Sequence, residues 1–177
     1  MKRAGSIPFD VRQRVADELP RLLAYAVSLV RDRDRARELV QETATRALAT
    51  RLAARDERAL RAWLYKTLRH AAIDEARRQR QWLEQPVADA IVEQDPWRVE
   101  NSRIAAITVR QGFARLGPEA REILALIDIA GFSYGETSVL LGIPIGTVMS
   151  RVSRARSALL QAVAESDVVP LRRRDER

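Results

Sequence analysis

Thr147, Ser150, Arg151 and Arg154 stand at i, i+3, i+4 and i+7, offsets that place all four on one face of a helix. Two hydroxyls and two guanidinium groups in that array suit the gripping of nucleic acid. An arginine fork matches guanine O6 and N7 in a DNA major groove, and hydroxyls meet phosphate oxygens. A second array lies upstream. At about 100° per residue, Lys66, Arg69, His70, Ile73, Arg77 and Arg80 share an arc of about 120°. That face is almost single-signed, whereas a merely solvated helix face usually mixes Glu with Lys to form i, i+4 pairs. Trp63 sits at the border of this face.

Both arrays need helices to hold them. Residues 132–156 predict two short helices around a tight turn, a helix-turn-helix of the kind that reads a major groove. Ser133 with Glu136 forms a capping box for the first, with Val139, Leu140 and Leu141 facing inward. Gly142 breaks it and Pro144 restarts the chain into the second, whose Val148, Val152, Ala155 and Leu159 form the buried stripe opposite the polar one. Before them, Pro118 and Glu119 start a helix carrying Ile123, Leu124, Leu126 and Ile127, which Gly131 ends.

In the first half, Pro20 suits the first turn of a helix running to about Val30, with Leu22, Leu23, Ala26, Val27 and Val30 inward. A second helix follows Arg31–Asp34 and turns Leu39, Val40, Ala44, Ala47 and Leu48 to the core. The pattern lapses between Arg51 and Arg58, a loop, and a third helix runs from about Leu60 to Gln81. On it Leu60, Leu64, Leu68, Ala71 and Trp82 oppose the cationic stripe, with Glu75 as the one polar intruder. The chain is therefore all-α. It divides into a helical domain at 9–82, an acidic, proline-marked flexible linker at 83–103, a second helical domain at 104–164 and a basic tail at 165–177.

Composition narrows the function. Over 177 residues, 31 Lys+Arg against 24 Asp+Glu leave a formal charge of +7, which favours a polyanionic partner. Without cysteine there is no disulfide, thiolate nucleophile or thiolate metal site, and a lone histidine, His70, cannot build an ordinary metal centre. No run of 18 apolar residues and no hydrophobic leader is present, so membrane insertion is not expected and a cytoplasmic protein is. For catalysis only His70 with Asp74, and Asp32 with Asp34, come into view; they lie on exposed helix or turn positions with no nucleophile near, and an enzyme is not expected.

Four motifs occur in order: Glu38-Leu39-Val40-Gln41-Glu42-Thr43, Leu60-Arg61-Ala62-Trp63-Leu64-Tyr65, Ala72-Ile73-Asp74-Glu75-Ala76-Arg77-Arg78, and the stretch from Gly146 to Arg156. Together they closely resemble the extracytoplasmic-function (ECF) group of sigma-70 factors, over roughly residues 10–165. The resemblance implies a bacterial transcription initiation factor with two helical domains, sigma-2-like and sigma-4-like. The first would bind the β′ clamp helices of core RNA polymerase and melt the −10 element; the second would bind the β flap and read the −35 element.

Position by position, the resemblance makes Leu39, Gln41, Glu42 and Arg46 the polymerase-binding face, with Leu39 also a candidate for the core. It makes the loop from Ala53 to Arg58, with Arg55, Asp56 and Arg58, the pocket for a flipped −10 base. Lys66, Arg69, Arg77 and Arg80 extend that −10 surface through backbone phosphates, Trp63 could stack on a base there although the core role is the one expected, and Thr147, Ser150, Arg151 and Arg154 form the −35 surface. It further implies promoter DNA and an anti-sigma protein as partners, and no cofactor or metal. Gly135, Thr137 and Ser138 depart from the better helix formers usual in the first helix of the −35 reader, which weakens that helix on its own. Two other readings share these motifs: a DNA-binding regulator acting without polymerase, which would need a dimer seam although no sustained heptad is present, and a decoy for an anti-sigma protein, which would need a receiver domain this chain has no room for.

Overall fold

The computed structural model describes residues 10–49, 56–82 and 102–165. Among them the chain is helical, with no strand: α1 Val11–Val30, α2 Arg33–Ala49, α3 Glu57–Trp82, α4 Ser102–Arg115, α5 Pro118–Leu124, a π-helical turn Ala125–Ile129, α6 Tyr134–Leu141 and α7 Ile145–Ala164.

Aspartates start the first three helices. Asp10 accepts from the backbone N–H of Arg12 at 2.9 Å, Asp32 from that of Arg35 at 2.9 Å and Asp56 from that of Ala59 at 2.7 Å. Each satisfies an orphan donor of the first turn. The cap at Asp10 explains why α1 begins nine residues before the Pro20 start expected from sequence. Pro20 lies inside the helix on an exposed position. It removes one backbone bond there, while the helix on both sides of it buries Val15, Leu22, Tyr25 and Ala26. The cap at Asp56 likewise moves the start of α3 back to Glu57.

α1, α2 and α3 pack around Leu22, Ala26, Ala36, Val40, Ala47, Leu60, Leu64 and Leu68. The Glu75 intruder is resolved by pairing: Arg35 of α2 donates to it and also to Glu38. Those bonds raise the Arg35 pKa further. The second group of helices gathers around Leu116, Ile123, Leu124, Val148, Val152 and Ala155. Gly112 lets α4 and α7 approach closely, since a Cβ there would stand 2.9 Å from Val163 Cγ2. Gly142, at φ +68°, supplies the left-handed residue that ends α6.

Two inward assignments are corrected. Val139 is 84% exposed, because the residue that α6 buries is Thr137, about 200° away around the helix. Leu48 is 46% exposed; in the last turn of α2 the buried position is its neighbour Ala47.

The two helical domains pack directly on each other. Ala125, Leu126, Ala130 and Phe132 from the second domain are buried in the core of the first, beside Tyr25, Leu64, Tyr65 and Leu68. α1 contacts α5 and the π turn, and α3 contacts α6. The expected linker and basic tail lie outside the described residues, apart from the stretch at 102–103 that begins α4 and the first residue of the tail, Glu165, which caps α7.

Candidate nucleic-acid interface

The helix-turn-helix is built as the sequence predicts. Ser133 Oγ accepts from the Glu136 N–H at 3.2 Å, and Glu136 Oε2 accepts from the Ser133 N–H at 2.8 Å. These bonds hold the Glu136 carboxyl below its ordinary pKa, the backbone donor contributing most. Across the turn, Ser138 O accepts from Gly142 N at 2.9 Å and Ile143 N at 3.2 Å, while Ser138 Oγ donates to Ile143 O at 2.6 Å. The turn is thereby fixed, and α7 leaves it with Val148, Val152 and Ala155 buried.

Burying that stripe forces the other face outward. Ser150 and Arg154 are exposed, Thr147 and Arg151 half-buried. Ser150 Oγ donates to Thr147 O at 3.0 Å, and Arg154 Nε to Ser150 O at 3.3 Å, so both side chains lie along the helix surface. Arg151 faces Glu119 of α5 at 3.4 Å, an exposed pair that is screened and weak. All four groups sit in the first three turns of α7, and Thr147 lies in the first, where the positive end of the helix favours phosphate.

The upstream cationic face is not continuous. Lys66, His70 and Arg77 are exposed on α3, with Arg77 3.9 Å from Asp74. Arg69 is turned aside: its Nε donates to Glu122 Oε1 of α5 at 2.7 Å, and its side chain is only 23% exposed. Burial works against its charge, yet the bond to Glu122 leaves its pKa raised. Trp63 is half-buried and packs against the core, as its favoured role requires. Of the expected base pocket, Arg58 is exposed on the first turn of α3, whereas Asp56 is the cap of that helix, which gives it a structural task. Arg55 and the Arg80 side chain lie outside the described residues.

On α2, Gln41 and Glu42 are exposed, and Arg46 donates to Glu42 at 2.6 Å. Leu39 is 3% exposed; it belongs to the core and not to the surface. Asp32 and Asp34 likewise have ordinary duties, as the cap of α2 and as the 2.8 Å partner of Arg37.

Sequence reasoning missed the groups that join the two domains: Tyr25, Glu122, Arg121 and Arg61. Tyr25 Oη donates to Glu122 Oε1 at 3.1 Å, and buried Arg121 donates through Nε to Ser28 O at 3.2 Å. The signal in the sequence is slight: Arg121 and Glu122 stand as an adjacent charged pair directly before the apolar run that begins at Ile123.

Both helical domains match known families. The family model described as Sigma-70 region 2 matches residues 15–82, and that described as Sigma-70, region 4 matches residues 108–159. The ECF RNA polymerase sigma factor EcfG of Rhodopseudomonas palustris is 33% identical over 150 residues, covering 85% of this chain and 83% of the relative. The ECF RNA polymerase sigma factor SigC of Mycobacterium tuberculosis is 33% identical over 146 residues, covering 80% and 76%. Among solved structures, the sigma factor RpoE of Bartonella quintana, crystallised with the anti-sigma factor NepR, superposes with a TM-score of 0.69 at 27% identity, over 89% of this chain and 98% of that one.

Proposed function

The chain belongs to the ECF group of sigma-70 RNA polymerase sigma factors, and from that membership we propose how its residues divide the work of promoter recognition. As a sigma factor it directs core polymerase to promoter DNA. The domain at 104–164 reads the −35 element with Ser150, Arg151, Arg154 and Thr147. The domain at 9–82 engages the −10 element with Arg58, Lys66, Arg77 and, when it is released, Arg69; Arg55 and Arg80 extend that surface. Gln41, Glu42 and Arg46 dock on the polymerase clamp. The segment 83–103 tethers the two domains, and 165–177 follows as a basic tail.

The observation that carries this reading is the outward hydroxyl and guanidinium face on the first turns of α7, held against a fixed turn and backed by a buried stripe. Bond-making in RNA synthesis is left to the polymerase, and the chain acts as a regulatory factor without catalytic residues of its own. The likeness to RpoE bound to NepR supports an anti-sigma protein as a further partner. Among the described residues no helix is long and apolar enough to cross a membrane, which suits a protein that works on polymerase in the cytoplasm.

The test is DNA binding and initiation by the holoenzyme. Arg154→Ala should lower initiation at cognate promoters by the equivalent of about 1–3 kcal/mol of binding, the worth of a bidentate base contact. Undiminished initiation from both Arg154→Ala and Arg151→Ala would remove α7 as the −35 reader.

A further inference from the structure

Exposed apolar side chains border the polar face of α7. Ile145 and Met149, one turn apart at the start of the helix, are 51% and 54% exposed, and neither joins a hydrophobic core among the described residues. The helix itself carries Met149 outward. Its neighbour Val148 is fully buried, and each step along the helix turns the side chain by about 100°. Met149 therefore stands directly before Ser150 and one turn before Ser153, both exposed hydroxyls.

Gly146, three residues before Met149, leaves that spot open. A Cβ built there would meet no heavy atom within 4 Å among the described residues, so no packing inside the fold calls for glycine, a weak helix former. A helical side chain leans toward the N-terminus and covers the turn before its own Cα. Met149 is thereby directed over the turn that Gly146 leaves bare, where another molecule can approach the helix closely.

We propose that Met149 is a specificity-determining residue of the −35 surface, whose side chain packs against the C5-methyl group of a thymine in the major groove. The proposal rests on the assignment of α7 to the −35 element made above. The N-terminal residues of a recognition helix are the ones that meet base edges, and Met149 is the fifth residue of α7. Chemistry then selects the base. A thioether offers no donor to a phosphate and only a weak acceptor to an exocyclic amine. Guanine, adenine and cytosine present hydrogen-bonding groups in the major groove; thymine alone adds a methyl group. An unbranched, polarizable side chain adapts its shape to such a group. Arg154 and Ser150 would thus hold polar groups, while Met149 adds discrimination by burying one methyl, a factor of about four.

The test uses holoenzyme assembled from core polymerase and the full chain, offered promoters randomised across the −35 element. Parent, Met149→Ala and Arg154→Ala proteins are compared. The parent should select thymine at one base pair where Met149→Ala selects none, while Arg154→Ala relaxes selection elsewhere. On the selected promoter, 2′-deoxyuridine in place of that thymine removes the methyl group alone. Parent binding should then fall about fourfold. Met149→Ala should bind the thymine promoter about fourfold more weakly than the parent does, and should lose nothing further with deoxyuridine. Helical content by circular dichroism should be unchanged, because the side chain is exposed. A parent that selects no thymine, or that is indifferent to deoxyuridine at every thymine, would overturn the proposal. So would a Met149→Ala protein that binds thymine and deoxyuridine promoters with the parent's ratio, the result expected if this side chain docks on polymerase instead. The arginine arm separates the two claims. If Arg154→Ala relaxes selection and Met149→Ala does not, the thymine contact alone falls; if neither alters selection, the −35 assignment of α7 falls and the contact with it.

Discussion

α3 and α7 carry cationic stripes that look alike on a helical wheel, yet the fold treats them differently. The stripe of α7 stays outward, and Glu119, the carboxylate that reaches it among the described residues, is exposed and loosely placed. The stripe of α3 is interrupted where Arg69 swings into the joint with Glu122. Periodicity tells which face of a helix is polar; what covers that face is decided by elements remote in sequence, here 53 residues away. Two similar stripes thus differ in their surroundings, one facing outward and one with Arg69 withdrawn toward Glu122.

The strongest way to break that contrast is to remove the packing beneath α3. Leu64→Ala, at a fully buried position beside the residues that the second domain inserts, should cost about 2–5 kcal/mol of stability by denaturant unfolding. It should also loosen the joint, whereas Val148→Ala should weaken α7 seating without touching the joint. Equal effects on the joint from both would erase the distinction between the helices.

Next in size, Ser133→Ala should cost the second domain about 1 kcal/mol through loss of the cap on α6. The same box has a pH signature. The Glu136 pKa is lowered in the fold, so its contribution is present above the ordinary carboxylate pKa and fades as pH falls through the depressed folded value. Thermal unfolding of Glu136→Gln against the parent should therefore differ most at neutral pH and converge in acid. A gap that widens in acid would contradict the assigned bonds.

A smaller effect of opposite sign is expected at Thr137, whose buried hydroxyl has no hydrogen-bond partner among the described residues. Thr137→Val keeps the shape and removes the stranded group, and should stabilise the second domain by up to about 1 kcal/mol. Calorimetry showing destabilisation would mean that the hydroxyl is satisfied in solution.

Much of this was legible in the sequence because it is local. The Ser133–Glu136 box, the Gly142 break and the Val148–Val152–Ala155 stripe each depend on residues a turn or two apart, and each appears as expected. The start of α1 was misread because Pro20 is a conspicuous signal and Asp10 an inconspicuous one. Val139 was misplaced because an apolar trio in an eight-residue helix does not define which side is in. Leu39 sits in a motif of the family's polymerase-binding helix, but its own angle on α2 sends it to the core. The contact between the two domains was invisible for a different reason: Tyr25 and Glu122 are 97 residues apart, and nothing local to either announces the other.

The central claim is that this chain confers promoter choice on core polymerase through two separate surfaces. Transcription of a genomic template library by sigma-free core polymerase with the purified protein, followed by sequencing of the 5′ ends, tests it most directly. The account predicts initiation clustered at sites sharing a −10 and a −35 motif, with the −35 preference relaxed by Arg154→Ala. Scattered starts no different from those of core polymerase alone would contradict it.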